Sequence, residues 1–343
     1  MSHRCLAAVL TVIAVVALAP VFGAAQSANT TAAPRTPWGD PDLQGVWDFR
    51  TITPLQRPEE FAAQELLTEE QAAEREARAR ERAVDRPPEP GSTGGYNRFW
   101  VDTPSFVDNT RTSLILDPSD GRIPALTPAA LHQIGSLGED LPGPRPVRYR
   151  AGGSGVDGPE DRGLAERCIL GFASGPPLLP GGYNQNIQLF QTSDYVVILN
   201  EMVHDPRIVP LDGRQHLPED LRQWNGNARG HWEGDTLVIE STNFTDKTAS
   251  FNPSVMVAMG TGENLRLTER LTRVSADTLR YEYTVDDPTT FSQPFTAAIP
   301  MQRSEMPIFE YACHEGNYGL LNILRGAREE EQAAAAAATQ GLR

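Results

Sequence analysis

Two glutamates and three histidines hold most of the chemistry available to this chain. In segment 265–271, Leu-Arg-Leu-Thr-Glu-Arg-Leu, alternation puts Glu269 on the face shared by the leucines. In segment 195–201, Tyr-Val-Val-Ile-Leu-Asn-Glu, the same count puts Glu201 with Tyr195, Val197 and Leu199. A carboxylate facing an apolar interior is desolvated, so its pKa rises and it can exchange a proton nearer neutral pH. The structural alternative is an inward glutamate paired with an arginine, Arg207 or Arg229. His204 lies in Glu-Met-Val-His-Asp-Pro-Arg (201–207), a polar turn straight after an apolar strand, where pocket rims form. His231 stands beside Trp232 at a strand entrance, and His314 follows Cys313. A histidine near a carboxylate can shuttle protons at neutral pH. The expected proton-transfer set is therefore Glu201, His204, His231, Glu269 and His314, with His132 and His216 as surface or loop residues.

Aromatic residues supply candidate ligand contacts. Tyr281 and Tyr283 share a face with Leu279 and Val285, and with Tyr195 and Trp232 they could line a pocket and orient a flat or apolar molecule. No H-x-H, H-E-x-x-H or paired-cysteine spacing occurs, so no metal is expected; a composite site of His204, His231, His314 and Glu201 is the alternative. Ser174 lacks a G-x-S-x-G context, and the glycines of 152–155 have neither a lysine nor a following helix to make a phosphate cradle. No redox cofactor is implied.

Short alternating segments must position these groups. Residues 187–192, 195–202, 207–211, 231–242, 265–274, 278–286, 295–301 and 308–314 read as strands with turns rich in Gly, Asp, Asn or Pro. About eight antiparallel strands must protect their edges, which predicts a mainly β chain closed into a barrel with room for one small molecule. Residues 181–326 form this expected barrel domain. Residues 38–180 form an irregular, partly helical region packed on it, including a strand at 46–49, a capped solvent-facing helix at 68–85, a strand at 111–116 and a short helix at 127–134. The Gly/Pro-rich stretch 135–182 is expected to drape over the barrel or act as a lid. Residues 327–343 read as a flexible tail. The repeated Asp-Thr-Leu at 235–237 and 277–279 suggests two hairpins.

Arg4, the apolar run 6–21 and the small residues 23–25 read as a signal peptide over 1–25, with an uncleaved membrane anchor as the alternative. An Ala/Thr/Ser/Pro-rich spacer covers 26–37. Cleavage removes Cys5 and leaves Cys168 and Cys313, an even pair that favours a disulfide in the periplasm or outside the cell. The net charge of -15 argues against nucleic acid and anionic membranes as partners. The mature protein is expected to have no membrane span; its oligomeric state is not specified.

Gly45-Val46-Trp47, Thr192-Ser193-Asp194-Tyr195 and Gly230-His231-Trp232 resemble lipocalin and calycin signatures, in which G-x-W closes the barrel floor and T-D-Y marks a later strand turn. Here Ser193 interrupts the second motif, and Trp47 lies farther from Tyr195 than one lipocalin domain allows. The mature chain, from PWGDPDLQGVW through RTSLILDPSDGRIPALT and GHWEGDTLVIESTNFTD to YACHEGNYG, also looks like a large uncharacterised family of exported bacterial proteins. That resemblance implies export and no particular activity.

The expected function is acid–base chemistry on a small, partly apolar molecule, as in a cofactor-independent hydrolase, lyase or isomerase. The alternative is a non-catalytic periplasmic carrier of such a ligand. A carbohydrate- or partner-binding module would need a row of exposed aromatics, which the sequence does not show.

Overall fold

Residues 34–86, 101–102, 109–131, 135–136, 156–254 and 257–341 are described in the computed structural model of the chain. The expected signal peptide, most of the spacer, His132 and the glycines of 152–155 lie outside them.

Antiparallel strands dominate. One ten-stranded sheet runs β6 (Pro206–Pro210), β5 (Tyr195–Asn200), β4 (Asn186–Gln191), β1 (Gly45–Asp48), β13 (Phe295–Ser304), β12 (Thr278–Asp286), β11 (Arg266–Arg273), β8 (Thr236–Thr242), β7 (Asn227–Glu233), with β2 (Ile115–Asp117) also paired to β13. A smaller sheet joins β3 (Gly135–Ser136), β10 (Val257–Met259) and β9 (Phe251–Ser254). The side-chain alternation of β11 and β12 is plain: Leu267, Glu269 and Leu271 face Val285, Tyr283 and Tyr281 across the ladder, all buried, while Thr, Arg and Glu residues alternate outward.

The segment at 46–49 is not a covering element. As β1 it sits in the middle of the sheet, between β4 and β13, with Val46 opposite both Gln188 and Ser304. Pro300 lies inside central β13, where a missing N–H would normally break a ladder. Ala298 on the same edge donates to the Leu114 carbonyl, while β1 pairs only from Gln302 onward. Pro300 therefore falls in the gap between the β2 and β1 ladders.

One other expectation needs correction: residues 308–314 are not a strand. Residues 231–242, also read as one strand, form the hairpin β7–β8 that the Asp-Thr-Leu at 235–237 suggests, turning at Gly234 with φ 59°. The C-terminal segment, with the expected tail at its end, is one continuous helix, α3 (Tyr318–Gly341). The other helices are α1 (Glu69–Ala83), whose Thr68 and Gln71 make the expected capping box at 2.8 and 3.2 Å, and the short α2 (Pro128–Leu131).

The sheet curls strongly. Gly230 on β7 lies so close to β6 that an added Cβ would stand 2.8 Å from Val209 and 2.7 Å from Leu211. No ladder joins β6 to β7, so the two edges of the sheet meet through side chains and the closed hydrogen-bonded barrel is not found. Trp47 is fully buried, donates to the Leu43 carbonyl at 2.9 Å and carries the Arg273 guanidinium 5.5 Å from its ring centre. The Gly/Pro-rich stretch does more than drape. Its described part inserts Ala173, Leu178 and Leu179 into the hydrophobic core. Cys168 and Cys313 are joined, with a Cα–Cα distance of 5.8 Å, and fasten this stretch to the segment before α3. No helix among the described residues is long and apolar enough to cross a membrane.

Candidate functional site

The curl brings opposite parts of the sheet into one buried network. Arg207, on edge strand β6, donates from Nη1 to Glu269 Oε2 at 2.6 Å and from Nη2 to Oε1 at 2.9 Å, a two-pronged pair with β11. Tyr281 OH donates to Glu269 Oε1 at 2.7 Å and accepts from the Leu178 amide at 3.1 Å. Glu269 has 0% exposure and Arg207 5%. Burial works against the guanidinium charge, yet the Glu269 carboxylate holds the Arg207 pKa above the ordinary arginine value. Burial, reinforced by Glu269, pushes the Tyr281 hydroxyl well above its usual range. Glu269 thus faces inward, as its alternation implies, and both its oxygens are engaged. Of the two arginines considered as its partner, Arg207 fills the role; Arg229 binds the backbone carbonyls of Gln215 and Ala228.

Of the remaining expected site residues, Tyr283 stands opposite Glu269 in the β11–β12 ladder, and the others lie elsewhere. On β5 the buried side chains are Val196, Ile198 and Asn200, so Tyr195, Val197 and Leu199 take the outer face, opposite to the face inferred from alternation. The strand is apolar at five successive positions, and such a pattern cannot say which face is inside. Glu201 is buried because it leaves the strand: it accepts from Asn186 Nδ2 at 2.7 Å and from the Phe309 amide at 3.1 Å, tying down the segment before α3. His204, His231 and His314 are all exposed. His231 stands 3.3 Å from Glu233 on the outer face of β7. Tyr195 lies under Arg214, which donates to its hydroxyl at 3.0 Å. Trp232 is half-buried, and its Nε1 has no partner. Tyr281 and Tyr283 are core residues without exposure; burial alone raises the Tyr283 pKa, and its hydroxyl has no partner. Among the described residues, no group of three or more His, Cys, Asp or Glu is placed to hold a metal ion.

A different set of residues converges where β6 and β7 fail to pair. A cleft of about 400 Å³ opens there, lined by Ile169, Asp205 to Ile208 and Gln223 to Ala228. Its polar groups come from two chain segments. The turn after β5 places Val203 and His204 at φ 64° and 42°, conformations side chains seldom adopt, and so delivers Asp205 to the mouth. From the other side, the Trp224-Asn225-Gly226 turn, with Gly226 at φ 68°, presents Asn225. Asn225 Nδ2 donates to Asp205 Oδ2, which turns the Asn225 Oδ1 away, and that atom is buried without a partner. Arg207 Nε is also buried and unpartnered. Burial raises the Asp205 pKa, opposed by the Asn225 bond and by the charges of Arg207 and His204.

The polar turn was visible in the sequence as a pocket rim, but the side chain it delivers to the cleft is that of Asp205, beside the expected His204. Nothing in the spacing tied it to Asn225. The polar Gln-Trp-Asn-Gly-Asn run at 223–227, a turn signal ahead of a strand, was the available hint. The chain matches no protein-family model, and no curated protein matches it significantly.

Proposed function

We propose that this chain is an exported binding protein for a small, partly apolar molecule, which it holds in the cleft between β6 and β7. The observation that carries this reading is a built but incomplete site: Arg207 Nε and Asn225 Oδ1 are buried without partners in residues that line a 400 Å³ opening. Buried polar atoms normally find a hydrogen bond, and a ligand or water at this position would provide one. Acid–base catalysis by Glu201 and His204 would need the two groups side by side, whereas one is held under the Phe309 amide and the other faces solvent. The calycin-like barrel belongs to the same proposal, supported by the touching edges and by the Trp47–Arg273 contact. Export is supported by the disulfide, which persists in oxidising compartments.

Native mass spectrometry on protein purified from its own host tests the binding function. The expected spectrum carries a non-covalent adduct of small-molecule mass. Ile208→Trp, at a residue 61% exposed on the cleft wall, should narrow the opening and remove the adduct without unfolding the protein. An adduct unaffected by that change would place the ligand elsewhere and refute the cleft.

A further inference from the structure

We propose that the cleft takes a small organic cation, a primary ammonium on an apolar or aromatic body, with Asp205 as its counter-ion and Trp224 as its aromatic wall. The inference rests on the cleft being the binding site and adds the chemistry of what enters it.

The charges around the cleft decide the ligand's sign. Arg207 is the cationic side chain of its wall, and Glu269 already neutralises it through two hydrogen bonds. Asp205 is the acidic one, and its single side-chain hydrogen bond comes from a neutral amide, Asn225 Nδ2. No arginine, lysine or histidine among the described residues forms an ion pair with it. Asp205 is half-buried, and the loss of water that raises its pKa is what an incoming cation would offset. An anionic ligand would meet this carboxylate with only the neighbouring exposed His204 as an unpaired basic group.

The hydrogen-bonding groups agree. The second Asp205 oxygen is an acceptor without a donor, matched to an N–H group of an ammonium. Ile169, Pro206 and Ile208 offer apolar surface for the ligand's body, and the Trp224 ring can attract the cation through its face. The net charge of -15 would also draw cations toward the protein.

Three probes of nearly one shape separate the possibilities: benzylamine, benzyl alcohol and benzoate, titrated into the full-length protein with amide NMR shifts as readout. Benzylamine should shift the resonances of Trp224 and Asn225 and bind about tenfold or more tightly than benzyl alcohol, since a hydrogen bond between charged groups is stronger than one to a neutral hydroxyl. Benzoate should not bind. Asp205→Asn, nearly isosteric, should erase the benzylamine preference while the thermal midpoint stays unchanged. If Asp205→Asn proves unstable, Trp224→Leu serves instead and should weaken benzylamine binding more than benzyl alcohol binding. Equal binding of benzylamine and benzyl alcohol at Trp224 and Asn225 would overturn the cation and leave the cleft standing as a binding site. Failure of all three probes to shift cleft residues would overturn both.

Discussion

Replacing Glu269 by Gln keeps its shape and removes its charge, leaving the Arg207 guanidinium at 5% exposure without a counter-ion. Breaking a buried pair from one side typically destabilises by about 3–5 kcal/mol, because the surviving charge cannot regain water. Arg207→Met should cost a similar amount, since Glu269 would keep only the Tyr281 hydroxyl as partner. The double variant Arg207→Met/Glu269→Gln removes both charges. Its residual cost should be about 1–3 kcal/mol, from the new amide N–H groups left buried without acceptors. The two single changes would then be non-additive, with a coupling of at least about 3 kcal/mol, the top of the usual range for residues in contact. Urea denaturation followed by both circular dichroism and tryptophan fluorescence, without reductant, measures all four proteins. Two single variants that each cost under about 1 kcal/mol and simply add would mean that Arg207 and Glu269 reach water, and the sheet would not curl as described.

Three further outcomes are expected. Serine at both Cys168 and Cys313, whose bond closes a separation of 145 residues, should lower stability by about 2–5 kcal/mol in the same urea assay. The Asp212 carboxyl should titrate at about 2 by carbon NMR, because hydrogen bonds from Arg214 favour its ionised form. A depressed folded value of this kind stabilises the fold above the ordinary carboxylate range and loses that contribution as pH falls toward 2, and Arg214→Gln should return Asp212 to its usual range. Gly230→Ala should destabilise by about 1–3 kcal/mol in thermal melts, since the new methyl would press on Val209 and Leu211; a neutral result would mean that β6 and β7 stand apart.

How far the sequence could be read differs from strand to strand. In β11 and β12, leucines and tyrosines alternate with threonines, arginines and glutamates, so period two identifies the inner face, including the inward Glu269. The Thr68/Gln71 capping box, the Cys168–Cys313 bond and the two Asp-Thr-Leu hairpins likewise follow from local residues. In β5 both faces are apolar, no contrast exists to count, and Glu201 could not be assigned a side. Nor could the place of β1, because its partners β4 and β13 lie more than a hundred residues away along the chain.

The chain's own pattern of alternation, turns and caps determined that it is mainly β, which residues of its clearest strands face inward, and which cysteines pair. Tertiary structure alone decided what stands next to what. Arg207 reaches Glu269 only because the sheet curls far enough to bring edge strand β6 over β11. Asp205 meets Asn225 only because the same curl sets the β6 and β7 edges together without pairing them. Period and propensity report the environment of a single strand, whereas a site assembled across the curl depends on twist accumulated over the whole sheet, and no short window of sequence contains it.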